Sequence, residues 1–311
     1  MPIYNKEKYI NKSIKSLQNQ TLKDIEIIAV NDCSDDKSLN ELINLSKNDN
    51  RIKIVNNDRN HGLLYSRAMG ILNSTGEYLM NLDPDDELEG EDNLEYLYNM
   101  TRISHAEIIT FGMSKKKFHK TFINPACPKK TKVQKQPQLF NSIFNKYDSI
   151  NDYLITNKLI KREIFLKAYN EFKDEIYNGK WNYHEDNIWS ILVNRYAKSK
   201  ICINKLIYIY NYHNDSLMNK DRLSLIELEN LLYRHNMYKK LFKSKNYEKY
   251  LIREYLYLLN LLNTGKKKIA LLNNTKIKSL IVNYFSFFLA NYNCSINQTK
   301  DIISFLGNII L

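Results

Sequence analysis

The chain has 311 residues, enough for one large domain or two smaller ones with a sizeable core. Its 43% hydrophobic and 26% charged residues, with only 8 Gly and 5 Pro, are globular values that argue against a long disordered linker. The net charge of +12 favours polyanionic partners, and four widely spaced cysteines without a Cys-x-x-Cys pair argue against a disulfide framework or structural zinc and predict a reducing compartment.

Short apolar runs and helical patterns alternate along the first third of the chain. Strands are predicted at residues 25–30, 52–55, 78–82 and 107–111, because these runs are short and apolar. Apolar residues at helical spacing predict helices around residues 10–17, 39–45, 64–72 and 93–103. This alternation predicts an α/β fold with a mostly parallel central sheet covered on both faces.

Carboxylates follow two of these strands directly. Asp32 comes after the strand at 25–30, and Asp83, Asp85 and Asp86 come after the strand at 78–82. Ligands bind at the carboxyl ends of parallel strands, and oxygen ligands suit Mg2+ or Mn2+. The alternative is an acidic turn that caps the next helix. Convergence of two acidic turns on one edge favours a cation site.

The middle and last parts of the chain have a different character. Residues 114–135 are rich in Lys, which favours a solvated surface loop over a docking site for an anionic acceptor or membrane. Order resumes at 153–165, where a helix is predicted after Asn157; a further helix is predicted after the pair Glu185 and Asp186, and a strand at 201–210. Helical periodicity at 223–242, 247–262 and 277–292 predicts a helical appendage. We therefore expect a domain at 1–216 and the appendage at 217–311.

No membrane-spanning or secretory segment is predicted. Pro2, Asn5 and Lys6 interrupt any apolar run at the N-terminus, and the most apolar segment, residues 280–290, is too short to span a bilayer. We expect a cytoplasmic protein that is soluble or peripherally associated with a membrane.

Several short segments occur in a specific order and spacing. They are residues 2–5 (Pro-Ile-Tyr-Asn), 16–21, 26–36, 60–68 and 75–86, followed by thinner matches at 157–162, 184–186 and 210–216. Together they resemble the family 2 glycosyltransferases, which have the GT-A fold. The resemblance does not extend to the Lys-rich segment or the helical appendage.

The resemblance implies a donor site for a nucleotide sugar, with UDP favoured. Tyr4, with Asn5 beside it, would stack on the base, and Asp32 would accept a hydrogen bond from a base N–H. Asp83 would hold the ribose or a metal-bound water, and Asp85 would coordinate Mn2+ or Mg2+ across the diphosphate.

The resemblance also implies acceptor-side chemistry. Asp186 is the predicted general base and Glu185 its substitute, the alternative being a helix N-terminal pair stabilised by the macrodipole.

Arg67 would neutralise phosphate or form a surface helix ion pair. His213 would approach the diphosphate or metal, or be a hydrogen-bonded surface residue. Asp86 is a further candidate near the sugar.

The predicted activity is therefore that of an inverting, metal-assisted glycosyltransferase of the hexosyltransferase type. The Gln-x-x-Arg-Trp segment of processive synthases is missing, which favours transfer of single sugars to a glycan, lipid or protein acceptor.

Only Met1 precedes Pro2, so the first strand is expected to be clipped, which motivates an alternative: a degenerate GT-A scaffold or sugar-nucleotide-binding module without catalysis. The helical appendage is a candidate homodimer surface. A nucleic-acid partner is not expected, because no recognised nucleic-acid module is present.

Overall fold

The structure is a computed structural model that describes residues 1–117, 120–124, 133–135, 154–178, 185–213 and 300. The chain divides into two compact units, Met1–His213 and Asn214–Leu311. Apart from Lys300, every described residue belongs to the first unit. The helices predicted at 223–242, 247–262 and 277–292, and the homodimer surface assigned to them, lie outside the described residues.

A small parallel sheet forms the N-terminal half of the first unit. Its strands lie in the order β1 (Pro2–Ile3), β2 (Ile27–Asn31), β3 (Ile52–Asn56), and the helices around it are α1 (Ile10–Gln18), α2 (Ser38–Ser46) and α3 (Leu63–Leu72). All five residues of β2 are buried, as expected for a β-branched run that helices cover. Ile10 and Ile14 on one face of α1 pack against this sheet.

A larger mixed sheet forms the rest of the unit. Its strands are β4 (Tyr78–Met80), β5 (Glu87–Leu88), β6 (Ile108–Lys117), β7 (Lys120–Asn124), β8 (Gln134–Lys135), β9 (Lys158–Lys161) and β10 (Ser199–Asn211), with helices α4 (Asn93–Ser104), α5 (Arg162–Asn178) and α6 (Glu185–Tyr196). The order is β4-β9-β6-β10-β5, with β7 paired to β6 and β8 to β10. Within the described strands of this sheet, β6 and β10 pair in parallel and the other pairs are antiparallel. The α/β class is confirmed, although the sheet is divided in two and only the first part is wholly parallel.

The helix predicted after Asn157 is wrong in its first half. Lys158–Lys161 is strand β9, which pairs with β4 on one side and β6 on the other. Leu159 is 8% exposed and Ile160 is fully buried. Pairing on both edges overrides the local helical pattern, and the helix begins only at Arg162.

The predicted Lys-rich loop is also wrong where it is described. Strand β6 continues to Lys117, and β7 pairs with it in antiparallel register from Lys120 to Asn124. The other edge of β6 pairs with β10, so the backbone of this segment gains hydrogen bonds on both sides. Residues 118–119 and 125–132 lie outside the described residues.

Strand direction brings two chain segments to one edge of the larger sheet. Strand β4 is antiparallel to β9, which is antiparallel to β6, so β4, β6 and β10 point the same way. The acidic turn after β4 therefore meets the end of β10. Asn211 confirms this contact, because its backbone N–H donates to Asp86 Oδ1 at 2.8 Å and its Nδ2 donates to the carbonyl of Asp85 at 3.0 Å.

Two expectations about membranes and cysteines can be compared with the described part of the chain. Among the helices there, none has the length and apolar character needed to cross a bilayer. Cys202 in β10 is disulfide-bonded, which runs against the predicted reducing compartment, whereas Cys33 is a free thiol.

Candidate functional site

The turn after β1 is held against the turn after β2. The Tyr4 hydroxyl donates to Asp35 Oδ2 at 3.1 Å, and Asn5 Oδ1 accepts the backbone N–H of Asp35 at 2.9 Å. Asn5 has φ of 51°, a left-handed conformation that Asn tolerates better than most residues. The hydrogen bond to Asp35 raises the pKa of Tyr4, so the phenol is neutral at physiological pH. Tyr4 remains 42% exposed at the carboxyl edge of the first sheet.

Asp32 is buried directly behind this turn. Its Oδ1 accepts hydrogen bonds from Asn57 Nδ2 at 2.7 Å and the backbone N–H of His61 at 2.9 Å, and its Oδ2 accepts the backbone N–H of Gly62 at 2.8 Å. Gly62 has φ of 93°, which only glycine adopts readily, and α3 begins at the next residue. Asp32 thus fixes the start of α3. A carboxylate offers about four acceptor positions, so these three bonds leave room for one more donor.

The three aspartates after β4 face three different environments. Asp86 is 1% exposed, and its carboxylate accepts the Tyr208 hydroxyl at 2.6 Å and the backbone N–H of Asn211 at 2.8 Å. Burial, reinforced by the nearby charge of Asp83, raises the pKa of Asp86 to about 8. Asp86 therefore joins the acidic turn to β10, and its placement does not support the expected position near the sugar.

Asp83 belongs to a buried cluster around Arg67. The Arg67 side chain, in α3, is 2% exposed, and its Nη2 lies 2.9 Å from Asp83 Oδ1 and 3.3 Å from Asp186 Oδ1. Its Nε lies 3.4 Å from Glu185 Oε1. Burial opposes the charge of Arg67, but the surrounding carboxylates outweigh burial and raise its pKa. The surface ion pair considered for Arg67 is excluded, because the guanidinium is buried among these carboxylates.

Glu185 and Asp186 occupy the first turn of α6 but differ in environment. The Glu185 side chain is 5% exposed, whereas that of Asp186 is 20% exposed. Burial, followed by the charge of Asp186, raises the pKa of Glu185 to about 8. At pH 7 Glu185 is therefore mostly protonated, and Asp186 is the more accessible carboxyl group of the pair.

Asp85 faces a different cation. Its Oδ2 lies 2.5 Å from the ammonium group of Lys6, which follows β1. The Lys6 Nζ is also 5.5 Å from the centroid of the Tyr9 ring, and that ring lies 4.3 Å from the ring of His213. The structure thus brings the predicted ligands Asp85 and His213 into one neighbourhood, with Lys6 and Tyr9 between them.

The residues of this neighbourhood can be compared with the needs of Mg2+ or Mn2+. Across the part of the chain that is described, no three His, Cys, Asp or Glu side chains are grouped closely enough to hold a metal ion by themselves. Mg2+ in phosphate-transfer sites is generally held by one or two carboxylates together with substrate phosphates. Asp85 has the chemistry for that role, because it is a partly exposed carboxylate, although its Oδ2 already pairs with Lys6. Asp83 supplies a second carboxylate and is 29% exposed, although Arg67 binds one of its oxygens.

Sequence reasoning missed three residues of this site. Lys6 neutralises Asp85, Tyr208 binds Asp86, and Asn57 binds Asp32. Lys6 directly follows the Pro-Ile-Tyr-Asn segment, which was a signal of proximity to the donor site. Tyr208 and Asp86 are 122 residues apart, and no local pattern joins them.

Solved structures show the fold to which this site belongs. Crystal structures of S. aureus TarS superpose on the chain with a TM-score of 0.63 at 16% identity, covering 93% of this chain and 48% of that one. For TarS 1-349 in complex with UDP-GlcNAc the TM-score is 0.58 at 18% identity, covering 99% of this chain and 79% of that one. The chain therefore has a GT-A type glycosyltransferase fold.

Sequence relatives agree with this fold. The uncharacterized glycosyltransferase EpsJ of Bacillus subtilis is 27% identical over 217 residues, or 70% of this chain and 61% of that protein. GalNAc(5)-diNAcBac-PP-undecaprenol beta-1,3-glucosyltransferase of Campylobacter jejuni is 28% identical over 222 residues, or 70% of this chain and 65% of that protein. The match thus spans less than two thirds of the length of either relative. The sequence profile of Glycosyl transferase family 2 matches residues 1–168, more than half of the chain, so this protein belongs to Glycosyl transferase family 2.

Proposed function

We propose that this protein transfers a single sugar from a UDP-linked donor to an acceptor hydroxyl, with inversion at the anomeric carbon and Asp186 as general base. The observation that carries this proposal is the Arg67 cluster. One buried guanidinium contacts Asp83, which follows β4, and Asp186, which begins α6. Asp83, which we assign to donor binding, and Asp186, which we assign as the base, thus share Arg67 as their counterion.

The donor end of the site is assigned to the turns after β1 and β2. Tyr4 presents an exposed ring, and Asp32 has an acceptor position for a base N–H. Base stacking on an aromatic ring and acceptance of an imide hydrogen suit a uracil-like base. UDP is also the nucleotide in the solved complexes of the structurally similar S. aureus TarS. Both considerations support UDP as the nucleotide.

The diphosphate end is assigned to the turn after β4. A bound Mn2+ or Mg2+ would supply positive charge to the leaving diphosphate. We assign Asp85 to hold it, with Asp83 and His213 as further ligands. These three residues lie at the edge where β4 and β10 end, which is where α/β proteins commonly bind ligands.

The bond changes follow from this arrangement. The acceptor hydroxyl oxygen forms a bond to the anomeric carbon from the face opposite UDP. The bond between that carbon and the diphosphate oxygen breaks, and its electron pair leaves with UDP. The hydroxyl proton passes to the Asp186 carboxylate, and base assistance of this kind contributes on the order of 10²- to 10⁴-fold.

Asp186 is a better base than Glu185 for an electrostatic reason. A base must be ionised before it accepts a proton, and Glu185, with its pKa raised to about 8 by burial and by Asp186, is mostly protonated at pH 7. Asp186 is also the more exposed of the two. Glu185 instead accepts a hydrogen bond from Arg67 Nε at 3.4 Å.

Calorimetric titration with UDP and a hydrolysis screen of nucleotide sugars test this proposal. We expect UDP binding that strengthens with Mn2+ and release of UDP from at least one UDP-sugar. Asp186→Asn should keep UDP binding within about twofold while lowering turnover by on the order of 10²-fold or more. Asp92→Asn is the matched control, because Asp92 is 70% exposed and pairs with Lys205 away from the Arg67 cluster.

Two results would contradict the proposal. Absence of UDP binding with and without Mn2+ would remove the donor assignment. UDP binding without turnover of any UDP-sugar, together with an Asp186→Asn variant that matches the parent in every property, would favour the non-catalytic scaffold.

A further inference from the structure

The ion pair between Lys6 and Asp85 is short and partly shielded from water. The Nζ–Oδ2 distance is 2.5 Å, and the side chains of Lys6 and Asp85 are 23% and 17% exposed. A pair at this depth is screened less by salt than a surface pair. Asp85, which we assign to the divalent cation, is therefore already paired with the ammonium group of Lys6.

Both partners are held in place by their backbones. The Lys6 N–H donates to Ser38 Oγ at 2.8 Å, and the Lys6 carbonyl accepts the N–H of Tyr9 at 2.9 Å. The carbonyl of Asp85 accepts Asn211 Nδ2 at 3.0 Å. The backbones of both residues are therefore fixed before the pair forms, and the remaining entropy cost is that of ordering the two side chains.

The ammonium group of Lys6 lies in the neighbourhood of Asp85, Tyr9 and His213, where we assign the metal. Lys6 Nζ lies 5.5 Å from the Tyr9 ring centroid, and the Tyr9 ring is 4.3 Å from that of His213. The Tyr9 ring attracts a cation through its quadrupole. The Asp85 carboxylate and the Tyr9 ring thus define one cation position, which the Lys6 ammonium group occupies, and His213 contacts the same ring.

We propose that Lys6 is the resident counter-cation of Asp85 and that a donor-bound divalent cation displaces it. This inference rests on the proposed function, because it assumes that Asp85 binds the cation of a nucleotide-sugar complex. A cation arriving alone must break the Lys6–Asp85 pair. A cation arriving with a diphosphate brings its own oxygen ligands, and the diphosphate offers the released ammonium group a new anionic partner.

The consequence is thermodynamic coupling between nucleotide and metal. Binding of Mn2+ to the free protein is weakened by the competing ammonium group, whereas binding of Mn2+ in the presence of UDP is weakened less. Such coupling is reciprocal, so Mn2+ must strengthen UDP binding by the same factor. Lys6 would thereby keep the site neutralised until the donor arrives.

The test measures Mn2+ binding by calorimetry, without nucleotide and with saturating UDP. Lys6→Met removes the ammonium group and keeps a side chain that packs on Tyr9. We expect this variant to bind Mn2+ alone about 3- to 10-fold more tightly than the parent, the range that one lost ion pair of this kind permits. The ratio of the Mn2+ affinities with and without UDP should fall by a similar factor.

Lys12→Met is the matched control. Lys12 pairs with Glu87 two residues beyond Asp85, but its side chain is 67% exposed and does not contact Asp85. This variant removes the same charge from the same region, and we expect its Mn2+ affinity to stay within about twofold of the parent. Adding Asp85→Asn to Lys6→Met should abolish the gain, which would locate the competition at Asp85. If Lys6→Met does not fold, Lys6→Gln replaces it.

The outcomes separate the two proposals. If the parent and Lys6→Met bind Mn2+ equally well and both bind UDP with Mn2+, the Lys6 inference is wrong and the proposed function stands. A gain in Lys12→Met equal to that in Lys6→Met would overturn the inference too, since net charge alone would explain it. If no variant binds UDP with Mn2+, both proposals fall together.

Discussion

Replacement of Arg67 by methionine is the sharpest test of the buried cluster. The Arg67 side chain is 2% exposed and lies within 3.4 Å of oxygens from Asp83, Glu185 and Asp186. Met fills a similar volume but leaves these three carboxyl groups without a counterion. Breaking a buried ion pair by removal of one partner typically costs 3–5 kcal/mol, since it leaves an uncompensated buried charge.

The pKa of Glu185 refines this magnitude. Burial and the charge of Asp186 raise that pKa to about 8, so Glu185 is only about half ionised even at pH 8. Less uncompensated charge is then left than three fully ionised carboxyl groups would carry, which favours the lower end of the range. We expect Arg67→Met to lower the free energy of unfolding by about 3 kcal/mol at pH 8.

The stability cost of Arg67→Met should also depend on pH, and the pKa of Glu185 gives the direction of that dependence. Glu185 has a folded pKa above its ordinary value of 4.5, so the native state binds more protons than the unfolded chain between pH 4.5 and about 8. Arg67 lowers the folded pKa values of Asp83 and Glu185, so its loss raises them further. Protonation relieves the repulsion as the pH falls, so the stability deficit of Arg67→Met should shrink between pH 8 and pH 5.5.

Urea unfolding of parent and variants at pH 8 and pH 5.5 measures both quantities. Arg67→Lys keeps the charge without the planar fork and should lose less stability than Arg67→Met. Arg195→Met is the control, because Arg195 pairs with Glu171 at 2.7 Å and its side chain is 39% exposed, so about 1 kcal/mol or less is expected. A cost below about 1 kcal/mol for Arg67→Met, or the same cost at both pH values, would refute the reasoning.

Three further predictions concern other parts of the first unit. Tyr4→Ala should weaken UDP binding about tenfold or more in calorimetry while Tyr4→Phe stays close to the parent, because base stacking contributes about 1–3 kcal/mol; equal losses in both variants would contradict stacking. Glu26 is partly buried. Hydrogen bonds from one lysine and two backbone amides outweigh the effect of burial and lower its pKa to about 2, so Glu26→Gln should cost about 2 kcal/mol in urea unfolding at pH 7. Because that stability is present above pH 4.5 and is lost as the pH falls towards 2, the cost should drop below half at pH 3, and an unchanged cost would count against it. Gly112→Ala should lower stability by about 1–3 kcal/mol in thermal unfolding, because its Cβ would lie 2.9 Å from the carbonyl oxygen of Lys205, whereas Gly70→Ala meets only ordinary contacts and should be neutral or stabilising.

Local patterns identified the elements that local forces determine. The apolar run at 25–30 became β2 at Ile27–Asn31, and the helical pattern near 93–103 became α4 at Asn93–Ser104. The run at 201–210 became part of β10. Strand β2 is buried over its whole length, as its apolar run predicts, and Leu97 lies on the buried face of α4.

Elements whose stability comes from distant partners were not predictable in this way. Lys158–Lys161 reads as part of a helix, yet it is a strand because β4 and β6 offer backbone partners on both edges. The lysines before β7 read as a solvated loop, yet the backbone of β6 is paired with β10 as far as Lys116. Strand pairing depends on the neighbour as much as on the segment itself.

By itself, the sequence determined that acidic turns follow buried strands and that such turns gather at the carboxyl edge of an α/β sheet. Only the tertiary structure decided which cation neutralises each carboxylate: Lys6 for Asp85, 79 residues away, and Arg67 for Asp186 at the start of α6. The physical reason is that burial and charge pairing arise between side chains that the fold brings together. The positions of two residues in the sequence do not show which side chains will meet in this way.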